Sequence, residues 1–160
     1  MTTYDVLDEA TIAATPAEIV QALLDEAAGR SQWWQPYLRM RQRGERPPTE
    51  IGAVVDITVN AGGLGGRLAT VRFSGRVTAY EPGRRLVLDY FDGDFRGTAE
   101  WTLNPVDAGH THIAVRWMTD PHGGMRLRAR FADVPGINSS VMQQGFRAIE
   151  RFAARERTEA

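Results

Sequence analysis

Between residues 37 and 119 the chain changes between apolar and polar residues in six short segments, and a turn signal closes each one. The segments run approximately Tyr37–Arg43, Ala53–Asn60, Leu68–Tyr80, Arg84–Phe91, Arg96–Leu103 and His110–Thr119. Between them stand Pro47-Pro48, the glycine-rich run Gly62-Gly63-Leu64-Gly65-Gly66, Pro82-Gly83, Asp92-Gly93-Asp94, and Asn104 to Gly109. A period of two marks strands, and links this short force neighbours to pair antiparallel. A seventh strand is expected over Tyr4–Ala14, with Tyr4, Val6, Ala10 and Ile12 on one face. Next, Thr15-Pro16-Ala17-Glu18 reads as a capping box with proline at the first helical position, and Ile19, Val20, Leu23 and Leu24 form the stripe of a helix ended by Gly29. Ser31 to Pro36 reads as a second short helical turn halted by its proline. After Pro135-Gly136 breaks the chain, Asn138 or Ser139 can cap a long last helix to about Arg155, whose buried face carries Val141, Met142, Phe146, Ile149, Phe152 and Ala153. The expected order is strand, two helices, six strands, long helix: an α+β chain forming one domain over residues 1–160.

Composition narrows the chemistry. The formal net charge of −1 argues against nucleic-acid binding, which needs a basic excess. The 19 basic residues are all arginine, which removes lysine Schiff-base chemistry. Cysteine is absent, and with it disulfides, thiolate nucleophiles and cysteine-ligated metals. No stretch approaches the roughly 20 apolar residues of a membrane span, and the acidic N-terminus has no signal-peptide pattern, so a cytoplasmic protein without membrane insertion is expected.

Local sequence resembles one superfamily along nearly the whole chain. Ile12-Ala13-Ala14-Thr15-Pro16-Ala17-Glu18-Ile19-Val20 resembles the strand-to-helix start of START-like, polyketide-cyclase (SRPBCC) proteins, and Trp33-Trp34-Gln35-Pro36 resembles their tryptophan-rich second helix. The strand-turn-strand run from Gly75 to Leu86, the two late strands from Gly93 to Pro105 with Gly109 and Thr111, and Met142-Gln143-Gln144-Gly145-Phe146 are similar to the corresponding parts of that family. The resemblance implies a helix-grip fold: a seven-stranded curved antiparallel sheet, two short helices, and a long C-terminal helix over the concave face. It also implies an internal cavity that takes a lipid, sterol, hormone or polyketide, with cyclase or dehydratase activity in some members. Relatives often carry a histidine near the start of the last helix, where this chain has Asn138-Ser139-Ser140.

Alternation then assigns the inward faces. Leu38, Met40, Val55, Ile57, Val59, Val71, Phe73, Leu86, Leu88, Tyr90, Trp101, Leu103, Ile113, Val115 and Trp117 should face Val141, Met142, Phe146 and Ile149. Taken alone, that set serves a solid core as well as a cavity wall; under the resemblance, Met40, Ile57, Phe73, Leu88, Tyr90, Trp101, Val115, Trp117, Asn138, Met142 and Phe146 become the expected ligand-binding residues. Gly62 to Gly66 reads either as a lip over the mouth or as a plain hairpin. Glu100 and Arg116 have outward parity and fall opposite each other when Leu103 pairs with Ile113, so a solvent-facing ion pair is expected; a local bulge would turn them inward as an acid and an oxyanion clamp. Asp8 shares parity with apolar residues, which reads as burial at a strand end with backbone hydrogen bonds, or as a general base. Asp56 is expected to be exposed. Tyr37 and Tyr90 are candidate partners for a ligand carbonyl. His110, His112 and His122 lie toward the two ends of one strand, so no metal site and no cofactor are expected.

Asp8, Tyr90, Glu100 and Arg116 are thus the candidates for any catalysis. The expected partner is a small hydrophobic molecule held by a monomer or homodimer. A polyketide cyclase or dehydratase, a carrier or sensor without catalysis, and an interaction module displaying Trp33 and Trp34 remain the alternatives.

Overall fold

The computed structural model describes residues 2–60 and 70–160. Seven strands form one antiparallel sheet: β1 (Tyr4–Ile12), β2 (Leu38–Arg43), β3 (Val54–Asn60), β4 (Thr70–Glu81), β5 (Arg85–Gly93), β6 (Phe95–Asp107) and β7 (His110–Pro121). They lie in the order β1-β7-β6-β5-β4-β3-β2, a meander that β1 extends at the β7 edge. The helices are α1 (Pro16–Ala28), α2 (Met125–Ala129) and α3 (Val134–Glu159). This curled sheet gripping a long C-terminal helix is the helix-grip architecture. The glycine run Gly62 to Gly66 lies outside the described residues.

Local chemistry accounts for the element starts. Thr15 Oγ1 accepts from the Glu18 N–H at 3.2 Å, and the Glu18 carboxylate accepts from the Thr15 N–H at 2.9 Å, completing the capping box. Gly29 ends α1 at φ 78°, a left-handed cap that residues with a Cβ seldom adopt. The last helix starts earlier than the expected Asn138 or Ser139. Asp133 caps it by accepting from the Gly136 N–H at 3.1 Å, and Pro135 and Gly136 stand inside its first turn. A proline there loses no hydrogen bond, because the first N–H groups of a helix have no partner within it.

A second departure lies at Ser31 to Pro36, which forms hydrogen-bonded turns rather than a helix. The Tyr37 and Leu38 N–H groups both return to the Trp34 carbonyl, and Pro36 has no N–H to extend a ladder. Among the described residues the second short helix is α2, after the sheet. The tryptophans of that turn are anchors in the core: Trp33 Nε1 donates to the Ala22 carbonyl at 2.7 Å and Trp34 Nε1 to the Val141 carbonyl at 2.9 Å. Their rings stack at 5.1 Å. Both are buried, so the interaction-module reading loses the surface it was built on.

Strand parity follows the alternation. Met40, Val55, Ile57, Val71, Phe73, Leu86, Leu88, Tyr90, Trp101, Leu103, Ile113, Val115 and Trp117 are all buried, and Leu38 and Val59 pack against them. The predicted pairing of Leu103 with Ile113 and of Glu100 with Arg116 is the observed β6–β7 register.

Candidate functional site

The inner face of the sheet and the first half of α3 enclose a cavity of about 70 Å³. A single water needs roughly 10–15 Å³ by the same measure, so the space exceeds an ordinary packing defect. From the sheet come Leu38, Met40, Ile57, Val59, Val71, Phe73, Leu88, Tyr90, Phe95, Trp101, Val115 and Trp117; from α3 come Val134, Ile137, Asn138, Val141 and Met142; Trp34 completes the wall. The aromatic part falls into two groups, Tyr90–Phe73–Phe95–Trp117 and Trp34–Trp101. Phe73 meets Tyr90 edge-on at 4.8 Å, Phe95 contacts Trp117 at 5.1 Å, and Trp34 stands edge-on to Trp101 at 6.0 Å.

Ten of the expected lining residues stand there, and Phe146 is a correction: it is buried at 1% exposure but does not line the cavity. The Trp34 indole covers Gly145, where an added Cβ would meet ring atoms at 2.5 Å, and so closes the space before Phe146 is reached. Eight further residues line it: Leu38, Val59, Val71 and Val141 belong to the expected inward set, and Trp34, Phe95, Val134 and Ile137 were in neither set. Phe95 lies between the expected turn Asp92–Asp94 and the strand expected from Arg96, and Val134 and Ile137 precede the expected start of the last helix, so element ends hid these three.

Among the lining side chains Tyr90 and Asn138 bring the main polar groups. Burial holds the Tyr90 hydroxyl pKa well above its ordinary value, and the neighbouring Trp117 indole opposes that rise. Tyr90 is therefore a neutral O–H donor at physiological pH. Gly75, its register partner on β4, leaves the room its ring needs: a Cβ there would stand 3.0 Å from Tyr90 Cδ1. Tyr37 is half-buried against the core and does not line the cavity.

Asn138 reaches across from α3 to β1, where its Nδ2 donates to Asp8 Oδ2 at 3.2 Å. Asp8 is buried at 6% exposure, as its parity predicts. It sits in the middle of β1 opposite Val115, however, not at a strand end, and its partner is this amide rather than backbone. It lies behind Asn138 and is not itself a lining residue.

Glu100 and Arg116 face solvent, which removes them as an internal acid and clamp. They stand opposite each other as expected but take other partners: Arg116 grips Asp5 on β1 with two bonds of 2.9 and 2.7 Å, and Glu100 accepts from Arg85 on β5 at 2.6 Å. Directly opposite them on their other sides stand Val87 and Leu7, so each ion pair is made diagonally, two positions along the neighbouring strand. Asp56 is half-exposed and paired with Arg43 at 2.6 Å. His110 and His112 pair separately with Asp107 and Glu9. Among the described residues no three His, Asp or Glu side chains are placed to share a metal ion.

One charged group escaped the sequence reading. Glu26 has no exposed surface; its carboxylate binds Arg41 Nη1 at 2.7 Å, and the same nitrogen donates to the Glu26 carbonyl at 2.9 Å. Burial pushes its pKa up, against the opposing effect of Arg41. The signal was present, since Glu26 continues the stripe of Ile19, Ala22 and Leu23 at helical spacing.

Comparison with known proteins agrees with this geometry. Residues 4–153 match the family model described as polyketide cyclase / dehydrase and lipid transport. A solved structure from Thermus thermophilus aligns over 96% of this chain and 99% of its own, with a TM-score of 0.70 at 16% identity. The Zhui aromatase/cyclase of a Streptomyces species aligns over 95% and 94% with a TM-score of 0.68 at 15% identity. A START superfamily protein of Mycobacterium smegmatis aligns over 94% and 97% with a TM-score of 0.65 at 15% identity. At these identities the likeness is one of fold. No curated protein matches the chain.

Proposed function

Since the chain belongs to the polyketide cyclase / dehydrase and lipid transport family, we propose that it binds one small, mainly apolar molecule in the cavity between sheet and α3. The observation carrying this reading is the make-up of the wall, which is aromatic and aliphatic with two polar groups of opposite hydrogen-bonding sense. The Tyr90 hydroxyl stays protonated in this setting, so it can donate to a ligand carbonyl. A carboxylate can only accept, so Asp8 fixes the Asn138 amide with nitrogen toward β1 and leaves Oδ1 to accept from a ligand hydroxyl. A compact hydroxy-ketone or phenolic ketone satisfies both, which is the functional-group content of a polyketide fragment.

Native mass spectrometry of the purified protein, followed by denaturing extraction, tests this. A co-purifying apolar compound with carbonyl and hydroxyl groups supports the reading, and a bound species that is ionic and fully polar rejects it.

Catalysis is the second reading, and the burial of Asp8 favours it. A carboxylate withdrawn from water behind a cavity-lining amide is placed to take up a proton relayed from a bound hydroxyl or enol. On this reading Asp8→Asn removes cyclisation or dehydration of a polyketide-like substrate and leaves its binding nearly intact. Unchanged turnover in that variant would exclude Asp8 as the base.

A further inference from the structure

Helix α2 and the turn after it carry an outward face that the packing of the described residues does not use. At about 100° per residue, Met125 and Ala129 fall together, and both are buried. Leu127 and Phe131 fall together on the opposite side and are 62% and 61% exposed. The bonds Arg130 N–H to Leu127 O and Phe131 N–H to Arg128 O are i→i+3 turn bonds that carry the chain one tighter turn past Ala129, and they place Phe131 exposed beside the outward side of the helix. Arg126 and Arg130 lie exposed along one flank, and Arg128 lies along the other, where it donates to the Thr70 carbonyl at 3.1 Å. No acidic residue occurs between Asp120 and Asp133, and the Asp133 carboxylate is committed to the cap of α3. The other exposed large apolar side chains, Leu7, Ile51 and Val106, stand singly on separate elements.

The position of this face matters as much as its composition. Val134, three residues after Phe131, lines the cavity, and so does Val71, next to the residue that anchors Arg128. The patch therefore adjoins one end of the ligand space.

We propose that α2 and Phe131 dock the protein on the surface of an anionic lipid bilayer. Leu127 and Phe131 enter the boundary between headgroups and acyl chains, while Arg126, Arg128 and Arg130 lie at the phosphate level on either side. An apolar stripe flanked by arginines on a short amphipathic segment is the pattern of an interfacial helix. A stable protein partner would need about 800 Å² of matching surface on each side, which two side chains on a short helix do not offer. The docking is peripheral, because no helix among the described residues is long and apolar enough to cross a membrane. An apolar ligand partitions into such a bilayer, so the placement beside the cavity sets the protein at its ligand's source.

Sedimentation of the full chain with lipid vesicles tests this. Vesicles of two parts phosphatidylcholine to one part phosphatidylglycerol should carry the protein down, and phosphatidylcholine alone should not. Added salt should weaken the binding. Arg126→Gln and Arg130→Gln should each lower partition about fivefold, and the double variant Leu127→Glu/Phe131→Glu should abolish it. All four side chains are exposed, so the variants should fold normally. A tryptophan-quenching titration with a water-soluble aromatic ketone should give the wild-type curve in each, which separates failure at this surface from failure of the cavity reading. No sedimentation with either vesicle, equal sedimentation with both, or full binding by the double variant overturns the proposal.

Discussion

Glu26 and Gly75 show how single residues hold the wall of the cavity. The Glu26 carboxylate ties α1 to Arg41 of β2, and its other oxygen lies 3.5 Å from the Trp34 backbone nitrogen. Glu26→Ala leaves Arg41 without its partner and should cost about 3 kcal/mol in urea unfolding, whereas Glu26→Gln keeps the hydrogen-bonding shape and should cost less. Because burial raises the folded-state pKa, the folded protein retains a proton that the unfolded chain has already released. The contribution is therefore full below the ordinary carboxylate range and is lost as pH rises through the raised value. Wild type should lose stability relative to Glu26→Gln across that interval, and a pH-independent difference would contradict the assignment. At Gly75, the methyl of Gly75→Ala would press on Tyr90 Cδ1 at 3.0 Å and Cε1 at 3.2 Å. A destabilisation of about 1–3 kcal/mol and weaker binding of a ketone ligand are expected, read by urea melts and fluorescence titration. Inward parity made Tyr90 and Asp8 legible from sequence. The Asn138–Asp8 contact was not, because it joins residues 130 positions apart and depends on how α3 lies across β1.

At the level of elements, the contact between α3 and the tryptophan turn closes the cavity. Gly145 permits it: a Cβ would stand 2.5–2.6 Å from Trp34 ring atoms, so helix and indole can approach this closely only without one. Gly145→Ala should displace Trp34, break its bond to the Val141 carbonyl, and destabilise the fold by about 1–3 kcal/mol despite alanine's better helix propensity. A gain in thermal stability would show that the helix shifts freely and that Trp34 is not its anchor. The alternation fixed strand parity because a one-residue slip would expose a whole apolar face. Ends were harder to read. Pro135-Gly136 has the sequence of a break, yet the Asp133 side chain accepts from the Gly136 N–H and makes the same residues a helix start. Ser31 to Pro36 has the sequence of a helical turn, but its N–H groups are taken by Asp25, Glu26 and Gln32 in a non-helical pattern. Local sequence does not show which acceptor wins such a competition.

Across the whole molecule, the order of elements was readable because short links leave an antiparallel meander little freedom, and β1 then takes the open edge beside β7. The inward residues alone did not show the cavity that the family resemblance implied, since they could have met in the middle; whether they do depends on sheet curvature and on how Trp34 seats α3. This space is proposed as a binding site. The most direct test is a titration with aromatic ketones, followed by quenching of Trp101 and Trp117 fluorescence, in wild type and in the cavity-filled variant Val71→Phe. Saturable one-to-one binding by wild type is expected, with at least about tenfold weaker binding by a variant that remains folded, since that loss corresponds to only about 1.4 kcal/mol. Equal affinity in the two proteins, or no saturable binding by wild type to any ketone tried, would contradict it.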